Sequence, residues 1–68
     1  MDKKQAIIRF ESRVDYYDKM LDKFLDARTK FIEAGDIEKA HRAHVRVIQC
    51  QQAKVSYADA LNILQSIN

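Results

Sequence analysis

The chain has 68 residues, 47% of them hydrophobic and 32% charged, with a net charge of +2. At this length there is room for one small domain and none for a second, and charge so nearly balanced excludes a disordered acidic or basic tail. With no Pro, one Gly and no Trp, the chain lacks the turn residues that an all-β or α/β fold would need several times over, which leaves helix.

Asp2 suits the N-cap of a first helix, with Gln5 at its third position. That helix is expected over residues 3–34. Its heptad seam reads Ile7, Phe10, Val14, Tyr17, Leu21, Phe24, Arg28 and Phe31, with one polar exception. Leu25 and Ile32 widen the apolar face on one side, Met20 and Ala27 on the other. The break comes at Ala34-Gly35-Asp36, where Gly suits the left-handed residue that closes a helix and Asp suits the next N-cap, so the turn is placed at 35–36.

A single continuous coiled coil is the alternative, and the heptad phase excludes it. Carried past Gly35, the first seam would read Glu38, Arg42, Val45, Gln49, Gln52, Ser56, Asp59, Ile63 and Ser66, which is mostly polar. The second helix, expected over 37–66, has its own register: Ala40, Ala43, Val47, Cys50, Lys54, Tyr57, Leu61 and Leu64. The seam changes face at the glycine, as an antiparallel hairpin requires. The expected fold is therefore all-α, a two-helix antiparallel hairpin.

Ile37, Ile48, Val55 and Ala58 widen the second seam. Faces this broad suit a bundle of three or four helices, and a chain this small obtains the missing core from a partner. A twofold homodimer forming a four-helix bundle is the economical solution, with Met20, Leu25, Ile48 and Val55 in the dimer core. Arg28 and Lys54 lie inside the seams and are expected to set register and partner number, as polar seam positions do in coiled coils. Antiparallel pairing places Arg28 beside Ala43 and His44, and Lys54 beside Tyr17 and Asp18, which predicts an Asp18–Lys54 pair.

Two charged lines are candidates for function. Glu11, Asp15, Asp18, Asp22, Asp26 and Glu33 recur at three- and four-residue steps along the first helix, with Lys19, Lys23 and Lys30 beside them. A solvated face with ion pairs such as Asp15–Lys19 and Asp26–Lys30 explains the pattern; a docking strip for a basic protein surface is the functional reading, carried by Glu11, Asp15, Asp18, Asp22 and Asp26. Lys39, Arg42 and Arg46 form a basic line on the second helix, to which Arg13, Arg28 or the Lys3 and Lys4 of a neighbouring chain can add. This is the candidate nucleic-acid surface. The aromatics Phe10, Tyr17, Phe24, Phe31 and Tyr57 fall on the seam, and only Tyr16 is expected outside it.

Chemistry has little to work with. His41 and His44, with Asp26 across the hairpin, make an incomplete ligand set, and Glu38 with His41 has a di-iron spacing but points away from the seam, so no metal or other cofactor is expected. Cys50 reads as a small buried hydrophobe with no base placed to activate it. Without a glycine-rich phosphate loop, a Ser-His-Asp set or a long loop, enzymatic activity is not expected. The lone cysteine, with no apolar stretch of secretory or membrane-spanning length, points to the cytoplasm and away from a membrane.

In outline the whole chain resembles the Rop group of plasmid regulators, short helical hairpins that dimerise into a four-helix bundle and bind an RNA pair. That resemblance is architectural and implies a nucleic-acid regulator without assigning residues. Hairpins of the sporulation aspartyl-phosphatase group have similar length but carry a Ser-x-x-x-Asp motif, whereas Ser56 here is followed four residues on by Ala60. Small chains of this kind are frequent among phage and mobile-element proteins that bind a host factor. The leading expectation is a non-enzymatic regulatory protein that binds a cytoplasmic protein partner through an outer helix face. The alternatives are a Rop-like nucleic-acid regulator and a structural or assembly subunit.

Overall fold

The structure, a computed structural model, describes residues 2–67. Two helices account for nearly all of them, α1 over Lys3–Glu33 and α2 over Ile37–Ser66, packed side by side in a rod of 52 × 15 × 13 Å. Both helices start on an aspartate. Asp2 has extended backbone geometry, and its Oδ1 accepts from the Gln5 N–H at 2.8 Å, while the Ala6 N–H donates to the Asp2 carbonyl at 3.0 Å. The first of these satisfies one of the donors that a helix start leaves orphaned, and the second is the first bond of the helix itself.

The turn does several jobs with three residues. Gly35 has φ 75°, a left-handed conformation that costs a side-chain-bearing residue about 1–2 kcal/mol. This conformation lets the Gly35 N–H donate to the Ile32 carbonyl at 3.0 Å and the Asp36 N–H to the Phe31 carbonyl at 2.9 Å, the paired bonds of a Schellman closure. Asp36 then caps α2: its Oδ1 accepts from the Lys39 N–H at 3.1 Å and its carbonyl from the Ala40 N–H at 3.0 Å. One residue thus ends one helix and begins the next, which fixes the reversal. Ala34 is the C-cap of α1, so the helix proper stops at Glu33.

The faces that meet are the two seams. On α2 the stripe Ala40, Ala43, Val47 and Cys50 is buried, and Lys54, Tyr57, Leu61 and Leu64 continue it at intermediate exposure. On α1 every seam residue from Ile7 to Phe31 is half-buried and none is fully buried. Tyr57 stacks on Tyr17 at 5.8 Å between centroids and meets Phe10 at 5.9 Å, while Tyr16 sits edge-on to Tyr17 at 5.1 Å. Both charged seam residues have partners: Lys54 Nζ donates to Asp18 Oδ1 at 2.6 Å, and Arg28 Nη1 lies 3.0 Å from His44 Nδ1. These cross-helix pairs set the antiparallel register. At the free end, Lys3 Nζ donates to the Ile67 carbonyl and ties the two helices together. Among the described residues no helix is long and apolar enough to cross a membrane.

Candidate functional site

In an antiparallel hairpin the same flank of each seam lies side by side, so residues far apart in sequence share a long surface. Two such flanks run the length of the rod and carry different chemistry.

The first is basic. Three shallow grooves follow one another along it, each sharing a residue with the next. Arg9, Arg13 and Tyr16 line the groove nearest the free end; Tyr16, Met20, Arg46 and Gln49 line the middle one; Arg46, Arg42, Lys39 and Ala27 line the one towards the turn. No carboxylate lines any of the three. Helical phase puts Lys23 and Lys30 of α1 on the outer edge of the same flank. Lys39 Nζ lies 5.8 Å from the centre of the Phe31 ring and 3.8 Å from Asp36; Arg42 pairs with Glu38 at 2.8 Å; Lys30 pairs with Asp26 at 3.0 Å. Arg46 donates to Gln49 Oε1 at 3.3 Å and makes no ion pair. Arg9, Arg13 and Lys23 are exposed and, among the described residues, also make none.

The opposite flank is apolar towards the turn and acidic towards the free end. Leu25 and Ile32 of α1 lie on it with Ile37, Ile48 and Val55 of α2, and Ile37 remains 71% exposed, Val55 59% and Ile48 40%. Met20, expected in the dimer core with Leu25, Ile48 and Val55, lines the middle groove of the basic flank beside Arg46.

The acidic line is divided. Asp15 pairs with Lys19 and Asp26 with Lys30, each at 3.0 Å, and all four side chains are well exposed, so each pair is worth only a few tenths of a kcal/mol. Asp18 leaves the line to meet Lys54 at the edge of the seam. Glu11 and Asp22 are the members that make no ion pair among the described residues, along with Glu33 at the turn. Half of the line's charge is thereby answered within the chain itself.

The residues considered for metal or covalent chemistry are dispersed. His41 and His44 are exposed, His44 is engaged with Arg28, and Glu38 is engaged with Arg42. No group of three or more His, Cys, Asp or Glu that could hold a metal ion occurs among the described residues. Cys50 is a free, buried thiol on the seam.

Lys39, Arg42 and Arg46, with Arg13 as a residue that can add to them, are legible in the sequence as a basic line; Arg9 and the continuity of the flank are not part of that expectation. A usable signal was present: in each seam's own register, Arg9 and Arg13 occupy the same flanking positions in α1 as Arg42 and Arg46 do in α2. No family model, no curated protein and no solved structure matches the chain, so the likeness to the Rop group stays one of outline.

Proposed function

We propose that the protein is a non-enzymatic, cytoplasmic interaction module whose working form is a twofold homodimer, closed into a four-helix bundle by the apolar flank of each hairpin. One observation carries this reading. Among the described residues only four side chains, Ala40, Ala43, Val47 and Cys50, are fully buried, while Leu25, Ile32, Ile37, Ile48 and Val55 lie incompletely covered along one flank. Full burial of a large aliphatic side chain is worth about 1.5–3 kcal/mol, so covering such a strip supplies the core that a single hairpin lacks. A twofold axis lets the strip cover itself without any other apolar surface, and closure leaves no strip to propagate a fibre. Arg28 and His44 border the strip and restrict which register closes it.

The outer surfaces of this dimer are its means of regulation. Docking of a basic protein on the acidic line of Glu11, Asp15, Asp18, Asp22 and Asp26 is supported by the line's length and weakened by the ion pairs that occupy three of its five members. The basic flank keeps more of its charge free. A role as a structural subunit alone would leave that segregated charge without a purpose.

Sedimentation equilibrium at micromolar concentration tests the assembly. The expected result is a species of twice the 8.0 kDa chain mass, converted to monomer by Ile48→Asp combined with Val55→Asp. A wild-type chain that sediments only as monomer at these concentrations overturns the homodimer.

A further inference from the structure

We propose that the basic flank is a binding surface for the phosphate backbone of a nucleic-acid duplex, contacted simultaneously by arginines from both helices. The flank carries Arg9, Arg13 and Lys23 from α1 and Lys39, Arg42 and Arg46 from α2, and its linked grooves contain no carboxylate. A chain with a net charge of only +2 holds these six cations on one side. Four of them, Arg9, Arg13, Lys23 and Arg46, make no ion pair among the described residues, so they break none when they meet an anion.

The dimensions select a polymer. By the register that Arg28–His44 and Asp18–Lys54 set, Arg46 lies level with Asp26, which is about 20 Å along α1 from Arg13 at 1.5 Å per residue. A nucleotide or a single phosphate cannot bridge that distance, whereas a duplex presents a negative charge about every 1.7 Å of its axis. The side chains between the two arginine groups also matter. Tyr17, Met20 and Phe24 in the groove between them are half-covered by the packed seams, which leaves less apolar anchor than a protein interface normally seats at its centre or a membrane surface draws into its hydrocarbon. The flank joins two groups of arginines on a stiff rod, with Gln49 and the half-exposed Tyr16 between them. Such a surface engages phosphates, whose contacts carry no sequence information, so it recognises a duplex as a duplex, with little preference among sequences.

The flank faces away from the apolar strip, so this inference does not rest on the proposed dimer, and the two fail separately. Fluorescence anisotropy with a labelled DNA duplex and an RNA duplex of the same sequence, between about 50 and 200 mM salt, is the direct test. With four free cations engaged, log affinity falls against log salt with a slope of about −3.6, a loss of roughly a hundredfold across that range. Arg13→Gln with Arg46→Gln removes one free cation from each helix. It is expected to weaken binding by about tenfold or more and to reduce the slope by about 1.8. Lys4→Gln with Lys19→Gln removes the same charge away from the flank and is expected to leave affinity within about twofold.

Whichever duplex binds more tightly identifies the natural polymer. Absence of binding to either duplex at about 50 mM salt overturns the proposal. So does an equal loss in the two double variants, or binding to vesicles of phosphatidylserine and phosphatidylcholine in preference to both duplexes. Circular dichroism confirms folding of each variant, and sedimentation of the same samples reports the dimer independently.

Discussion

The turn half and the free half of the hairpin are built from the same two helices and packed differently. Near the turn, Val47 is 2% exposed and Ala40, Ala43 and Cys50 no more than 7%. Towards the free end no side chain among the described residues is fully buried, although Phe10, Tyr17 and Tyr57 are larger and make ring contacts with one another. Size explains the contrast. The buried stripe of α2 near the turn is built of small side chains, Ala40, Ala43 and Cys50 with Val47, which need little neighbouring surface to be covered. The larger rings of Phe10, Tyr17 and Tyr57 in the free half leave part of their surface exposed. A two-helix rod has no third layer to cover that surface, so bulk that would stabilise a larger core contributes less here.

The sharpest way to break this comparison is to place a charge in each half. Val47→Asp buries an unpaired carboxylate and is expected to cost about 4 kcal/mol or more, enough to unfold a domain of this size. Leu61→Asp, on the same seam in the free half, can reach water and is expected to cost less than half as much. Urea denaturation followed by circular dichroism measures both, and equal losses would show that the two halves are equally closed.

The closure of the turn half can be loosened without touching its core. A Cβ on Gly35 would meet nothing within 4 Å, so Gly35→Ala carries only the backbone penalty of the left-handed conformation, about 1–2 kcal/mol. Hydrogen exchange should then accelerate at Lys39 and Ala40 more than at the free end. A uniform acceleration along both helices would mean that the turn does not close its half locally but governs the whole rod.

The smallest expected effect is at the junction of the halves. Lys54 and Asp18 form a cross-helix pair with side chains 36% and 50% exposed, and a pair so accessible to solvent is worth at most about 1 kcal/mol. Lys54→Leu exchanges that for apolar contact and is expected to leave stability unchanged within about 1 kcal/mol, or to raise it, while relaxing the preference for one oligomer. A loss of several kcal/mol in thermal denaturation would show that the pair holds the free half shut.

The residues legible without a structure were those whose partners lie within a few positions along the chain. Asp2 with Gln5, Gly35 with Ile32, and Asp36 with Lys39 are local hydrogen-bonded units, and their spacing identifies them. The change of heptad phase at Gly35 was equally legible, because periodicity is a property of one helix at a time. The Lys54–Asp18 pair and the approach of Arg28 to His44 followed from counting away from the turn. Asp18 also fits the spacing of the outer acidic line, and its contact with the Lys54 ammonium decides between the two assignments.

The amino-acid sequence by itself therefore determined the secondary structure, the reversal and the two apolar stripes, since each depends on steric and hydrogen-bonding rules that act over one or two helical turns. Tertiary structure decided which residues share a surface. Arg13 and Arg46 belong to one basic flank only because the seams close antiparallel and bring like flanks together. It also decided how deeply each half is buried, because closeness of approach depends on the summed bulk of side chains from both helices at each level of the rod, a quantity that neither helix carries alone.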